Sequence, residues 1–168
     1  MPNLAQLAIL QDQIAPAAVA SENATGLPAE LSAAQCIIES GWLSRSPGNN
    51  CFGIKLDSHG AGVQYFISHE YMNGTWQQYP EAFEKYNTLA DCFTDHSKLI
   101  IAGQSYAAAW AQYQQDHDLD ALIVGISQHY ATAPSYAASI LEEAHSPFLA
   151  SALKESRLLA SKPAPETI

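Results

Sequence analysis

The chain has 168 residues, 48% of them apolar, with nine glycines, nine prolines, and 17 acidic against seven basic side chains. That length suits one domain burying roughly 70% of its unfolded surface, and the composition excludes a disordered polymer. A formal charge of −10 without a basic stripe excludes nucleic acid as partner and suits a neutral or weakly charged substrate.

In chain order, Leu4, Leu7, Ala8, Ile14, Ala18 and Val19 recur at helical spacing over about 3–23. Pro16 is expected to kink this run or divide it, and Gly26 to end it in the left-handed position. Pro28 then opens a second helix, containing AAQCIIES, which Gly41 stops. Residues 43–60 read as an irregular loop. The period changes next: aromatic and β-branched residues with the dipeptide Asn73-Gly74 predict an antiparallel hairpin over about 63–79. Thr88, with Asp91 three residues on, reads as a capping box. It opens a helix whose apolar face is Leu89, Cys92, Phe93, His96, Leu99 and Ile100. Helical patterns follow at about 106–114, 119–129, 135–145 and 147–160, and the end, SKPAPETI, reads as a flexible tail. The fold class is therefore mainly α (α+β), with a small antiparallel hairpin lobe inserted between helices.

Cys36, Cys51 and Cys92 have no metal-type spacing and are read as buried free thiols. Cys51 lacks the partner arrangement of a cysteine amidase. The dense group Asp116, His117, Asp118 and Asp120 reads as a solvated acidic loop, so neither a metal nor a cofactor is expected. No apolar run reaches the ~18 residues that span a bilayer, so no membrane insertion is expected. Met1-Pro2-Asn3-Leu4 lacks the basic start of a signal peptide.

Glu39 stands out. It sits in the last helical turn among apolar neighbours, sharing a stripe with Gln35 and Cys36. Partial burial and the negative end of the helix both favour the protonated carboxyl that a general acid needs. Asp57, Glu70 and Asp95 are candidates for the second group that glycoside hydrolysis requires. Glu70 leads, because a hairpin can fold over a cleft, whereas Asp95 reads as a group that caps or pairs within its helix. Trp42, Tyr71 and Trp76 are candidate sugar platforms.

The strings TGLPAELSAAQCIIESGW, GNNCFGIK, HEYMNGTW, DCFTDHSKLI and YATAPSYA occur in this order. Together they closely resemble the bacterial glucosaminidase family of peptidoglycan hydrolases, of glycoside hydrolase family 73 type. These are the lysozyme-like domains of autolysins and of the flagellar wall-cutting enzyme. The resemblance implies Glu39 as catalytic acid, Glu70 as a second catalytic carboxylate and Tyr130 as an assisting phenol, with Tyr136 structural. It also implies a glycan cleft in which Asn49 and Asn50 offer amides and Phe52 packs beside them. Where the family pattern has glycine and aspartate, this chain has His129 and Ala133; His129 would add bulk beside the cleft. Residues 1–145 would form the lysozyme-like domain, 146–160 a helical extension and 161–168 the tail.

The expected activity is endo-β-N-acetylglucosaminidase cleavage of β-1,4 bonds in peptidoglycan glycan strands by a monomer acting in periplasm or wall. Alternatives are a muramidase or lytic transglycosylase on the same fold, or a non-catalytic wall-binding module. Without a leader, expected routes outward are phage lysis, a secretion system with its delivery partner, the flagellar route, or prior removal of a signal.

Overall fold

A computed structural model describes residues 1–57, 59–72, 74–131 and 135–162, with residues 68–72 described by backbone alone. Asn73, Ala133 and the tail 163–168 lie outside the described residues. The first helical run comprises α1 (Leu4–Ile9), a π-helical turn (Leu10–Ile14) and α2 (Ala15–Thr25). Pro16 has no N–H to donate and its ring crowds the turn before it. The chain answers by widening that turn, where Ala15 donates to Leu10, five residues back. The expected break is thus a π turn within one continuous run.

Gly26, at φ 84°, ends α2 in the left-handed conformation. Pro28 occupies the N-cap of α3 (Ala29–Ser40), one position before the helical turn in which it was expected. The hairpin consists of β1 (Gly62–Met72) and β2 (Thr75–Lys85), paired antiparallel from Gly62↔Lys85 to Met72↔Thr75. Its two-residue connection falls at 73–74, as predicted. Its second strand runs six residues further than predicted, through Pro80, because a strand at a sheet edge tolerates a missing N–H. Lys55 bridges to Phe83, so the loop before the hairpin lies along the root of β2.

Five more helices follow: α4 (Leu89–Ala102), α5 (Ala107–Asp116), α6 (Leu119–Tyr130), α7 (Tyr136–Ala144) and α8 (Pro147–Ala160). The Thr88–Asp91 capping box is formed in both directions. Asp118 caps α6 through the Ala121 N–H, Asp116 accepts from the Asp118 N–H, and Asp120 pairs with His145 at 2.6 Å. Those acids therefore serve helix ends and surface pairing.

One core joins the helices, filled by Leu10, Ile14, Leu31, Phe93, Ile123, Ile140 and Leu153, each at most 1% exposed. Ser21 and Ser97 meet inside it, hydroxyl to hydroxyl at 2.8 Å, letting α2 and α4 approach closely. Leu149 and Leu153 seat α8 in the same core. Among the described residues, no helix is long and apolar enough to cross a membrane.

Arg157 of α8 clamps two helices at once. Its guanidinium donates to both carboxylate oxygens of Glu22 on α2, at 2.7 and 2.9 Å, and to both of Glu30 on α3, at 2.9 and 3.0 Å. Burial alone would raise Glu30, but hydrogen bonds from Arg157 and backbone, with the Arg157 charge, outweigh it and hold the carboxyl below its ordinary value. A depressed folded pKa contributes stability above the unfolded value of 4.5 that is lost as pH falls through the folded one. Arg157→Met should therefore lower unfolding stability by about 1–2 kcal/mol at neutral pH. Urea unfolding should show that loss shrinking below pH 4.5.

Candidate active site

The end of α3 builds the site. Glu39 lies in its last turn, half-buried, and the backbone then reverses through three successive left-handed residues: Gly41, Trp42 and Leu43 at φ 58°, 60° and 61°. Two of these are not glycine, so the turn is strained and needs support. Ser40 supplies it. Its hydroxyl donates to the Cys36 carbonyl at 2.6 Å and accepts the Leu43 N–H at 2.8 Å. Arg45 returns to donate to the Glu39 carbonyl at 3.2 Å.

Glu39 borders a groove of about 280 Å³. Arg45 lies beside it, Phe52 and Gly53 form the loop wall, and Gln64, Phe66 and Phe83 form the hairpin wall. In the backbone of β1, Glu70 pairs with Gln77 and Tyr71 with Trp76, toward the tip of the hairpin. Glu70 and Tyr71 are described by backbone alone, and their side chains lie outside the described residues.

Behind Glu39 stands a row of hydrogen-bonded groups that local sequence did not reveal. Tyr136, the first residue of α7, donates its hydroxyl to Glu39 Oε1 at 2.8 Å. The buried Gln35 donates its amide to the same Tyr136 oxygen at 3.3 Å. Glu39 Oε2 has no partner among the described residues. Tyr130 stacks on Tyr136 with ring centroids 5.7 Å apart, and its hydroxyl lies 3.3 Å from His96 Nε2. Burial pushes both phenols well above their ordinary range, and the Glu39 charge adds to each shift. Both are thus neutral donors at any working pH. Tyr136, read from sequence as structural, is the side chain in direct contact with Glu39. The only local signal was its place six residues after Tyr130 in one string.

Asn50 and Phe52 also line the groove, while the other expected contacts lie around it or apart from it. Asn50 is 4% exposed, and its amide is fully engaged: the nitrogen donates to Ile54 and Glu84 carbonyls, and the oxygen accepts the Ile54 N–H. It fastens the loop to β2 and has no donor left for a sugar. Asn49, at φ 60°, donates both amide hydrogens to the carbonyls of Tyr86 and Asn87. Phe52 lies flat on His96, centroids 3.8 Å apart, as well as walling the groove. Trp42 packs half-buried against the core, and Trp76 stands 71% exposed on β2. His129 borders a separate hollow with Gln112, Ala121 and Gly125, away from Glu39. One helical step from Tyr130 turns a side chain by ~100°, which places it there. Asp57 and Asp95 meet outside this groove, both beside His59, and Tyr86 donates to Asp95 at 2.6 Å.

The three thiols are buried, with Cys51 and Cys92 sulfurs 3.9 Å apart. His96 is buried too, and burial pushes its imidazole down to about 3, so it is neutral beneath Tyr130. A histidine depressed in this way favours the fold above its unfolded value of 6.5, and that contribution is lost as pH falls toward 3. Between pH 7 and 5 the protein should lose about 2 kcal/mol of stability from this residue. Equilibrium unfolding of His96→Gln should show a flatter pH dependence over the same interval.

Comparison with known proteins fits this architecture. The glucosaminidase family model, described as mannosyl-glycoprotein endo-beta-N-acetylglucosaminidase, matches residues 15–147. An autolysin of Enterococcus faecalis is 36% identical over 70% of this chain and 17% of its own length. A probable N-acetylmuramidase of Lactococcus lactis is 36% identical over 77% of this chain and 31% of its own. This chain thus spans well under half the length of either relative. The glycoside hydrolase domain of FlgJ from Salmonella typhimurium superposes with a TM-score of 0.62 at 25% identity, covering 96% of this chain and 97% of that domain. With four-fifths of its length matched to the family model and the same helical fold with a hairpin, the chain belongs to the glucosaminidase family of peptidoglycan hydrolases.

Proposed function

We propose that the chain is an endo-β-N-acetylglucosaminidase that cleaves β-1,4 bonds in peptidoglycan strands, with Glu39 as general acid. The observation that carries this reading is the setting of Glu39. One carboxyl oxygen is held by Tyr136, the other has no partner among the described residues, and Glu39 lines a groove bounded by the hairpin. A bridging sugar oxygen seated there takes its proton from Glu39 as the bond breaks. The Tyr136 hydroxyl then stabilises the carboxylate left behind, and Gln35 keeps that hydroxyl aligned. Glu70, carried on β1, is the second carboxylate, steadying the oxocarbenium-like transition state or activating water. Tyr130, stacked on Tyr136, supports the developing charge from behind. The aromatic walls Phe52, Phe66 and Phe83 suit the flat faces of sugar rings. Work on such a substrate takes place outside the cytoplasm, on the wall.

A second reading, N-acetylmuramidase, is favoured by the similarity to the probable N-acetylmuramidase of Lactococcus lactis. The two enzymes differ only in which sugar occupies the position before the cut. Mass spectrometry of sacculus digests separates them. Reducing-end N-acetylglucosamine is the expected product; reducing-end muramic acid would support the second reading, and anhydro-muramic ends a lytic transglycosylase.

Glu39→Gln should lower kcat by roughly 10²–10⁴-fold with fold and glycan binding retained. Glu70→Ala should likewise act on kcat, whereas a change confined to KM would reduce Glu70 to substrate positioning. Wild-type cleavage by Glu39→Gln would reject the assignment.

A further inference from the structure

Among the described residues, two buried side-chain polar atoms have no hydrogen-bond partner: Gln35 Oε1 and His96 Nδ1. Native interiors hold few such atoms, and each calls for a cause. Both side chains are buried, at 0% and 3% exposure, and each reaches a phenol of the site. Gln35 Nε2 lies 3.3 Å from the Tyr136 oxygen, and His96 Nε2 lies 3.3 Å from the Tyr130 oxygen. The two phenol rings stack on each other. One arrangement is thus made twice: a nitrogen meets a phenol, and the far atom of the same side chain is left bare.

In the first pair the direction of each bond is settled. Tyr136 gives its proton to Glu39 Oε1, so its oxygen accepts from Gln35. The amide presents its nitrogen to the phenol, and the atom left bare is an acceptor. In the second pair the imidazole tautomer decides. Burial pushes His96 down to about 3, so at neutral pH its ring is uncharged and carries one N–H. With the proton on Nδ1, a buried N–H would lack any acceptor, a rare condition in folded proteins. With the proton on Nε2, that N–H meets the Tyr130 oxygen and a lone pair alone is left bare. Phe52 holds the ring in this orientation, with centroids 3.8 Å apart and planes 13° apart.

We infer that His96 is a positioning residue, which donates Nε2–H to the Tyr130 oxygen and so keeps the Tyr130 proton available to the negative charge that develops on Glu39. A phenol that gave its proton to His96 would turn its lone pairs toward that charge. Accepting from His96 also polarises the Tyr130 O–H and strengthens it as a donor. Gln35 does the same for Tyr136, so the two phenols form one layer of donors oriented from the buried side. The role rests on the reading of Glu39 as general acid; the hydrogen bond itself does not.

NMR of the full chain, with histidine labelled at its ring nitrogens, reads the tautomer; the His96 signals are those missing from His96→Gln. A protonated Nε2 beside a bare Nδ1 is expected, and a protonated Nδ1 would overturn the inference whatever the chain cleaves. Steady-state cleavage of peptidoglycan strands reads the role. His96→Leu should lower kcat roughly 10-fold with KM little changed. His96→Gln, whose amide brings an N–H to the Nε2 position, should recover most of that loss. On a Tyr130→Phe background, His96→Leu should cost nothing further. A parent-like kcat in His96→Leu, an equal loss with and without the phenol, or no rescue by glutamine would each overturn the positioning role, leaving His96 a packing partner of Phe52. A parent chain that cleaves no glycan would instead reject the glycosidase reading, and the role with it.

Discussion

A hydrogen bond of 2.8 Å from the Tyr136 hydroxyl to Glu39 joins residues 97 positions apart, and the geometry of the site follows from it. It ties the last turn of α3 to the first turn of α7, so the direction of the carboxyl depends on how two helices pack. Gln35, one turn before Glu39 and fully buried, aims the phenol from below. The left-handed turn through Gly41, Trp42 and Leu43 carries the backbone away and leaves Glu39 at the wall of the groove. Removing the phenol's support would leave the carboxyl free to swing, even though the helix would persist.

The opposite wall depends on buried polar groups in place of apolar packing. Among the described residues, Asn50 and Glu84 together accept or donate six hydrogen bonds to loop and strand backbone. Gln64 adds two more, to the carbonyls of Pro47 and Glu84. A two-stranded hairpin alone is marginal in water. These bonds anchor its root to a loop that in turn rests on Phe52, His96 and Phe93. Sequence to lobe position therefore runs through side-chain amides and one carboxyl.

Much of the fold was legible because its signals are local. The Thr88–Asp91 box, the Gly26 and Gly41 stops and the two-residue hairpin connection each involve residues within a few positions of one another. Glu39 also announced itself, by its place late in an apolar helix and in a recognisable string. Long-range contacts were not legible. Nothing near Tyr136 shows that it meets Glu39, and nothing near Asn50 shows that its amide is engaged by Ile54 and Glu84. The direction of His129 depends on the rotation of α6 about its own axis, which the packing of whole helices sets. The meeting of Asp57, His59 and Asp95 needs the Glu84-centred loop, so three separate residues looked unrelated.

The central claim is proton donation by Glu39 to a departing sugar oxygen. Its most direct test compares Glu39→Ala with the parent on oligosaccharide substrates whose leaving groups differ in acidity. With a dinitrophenolate leaving group, which departs without a proton, bond cleavage should proceed at close to the parent rate. With an unactivated sugar it should fall by ~10² or more. An equal loss on both substrates would show that Glu39 does something other than protonate the leaving group.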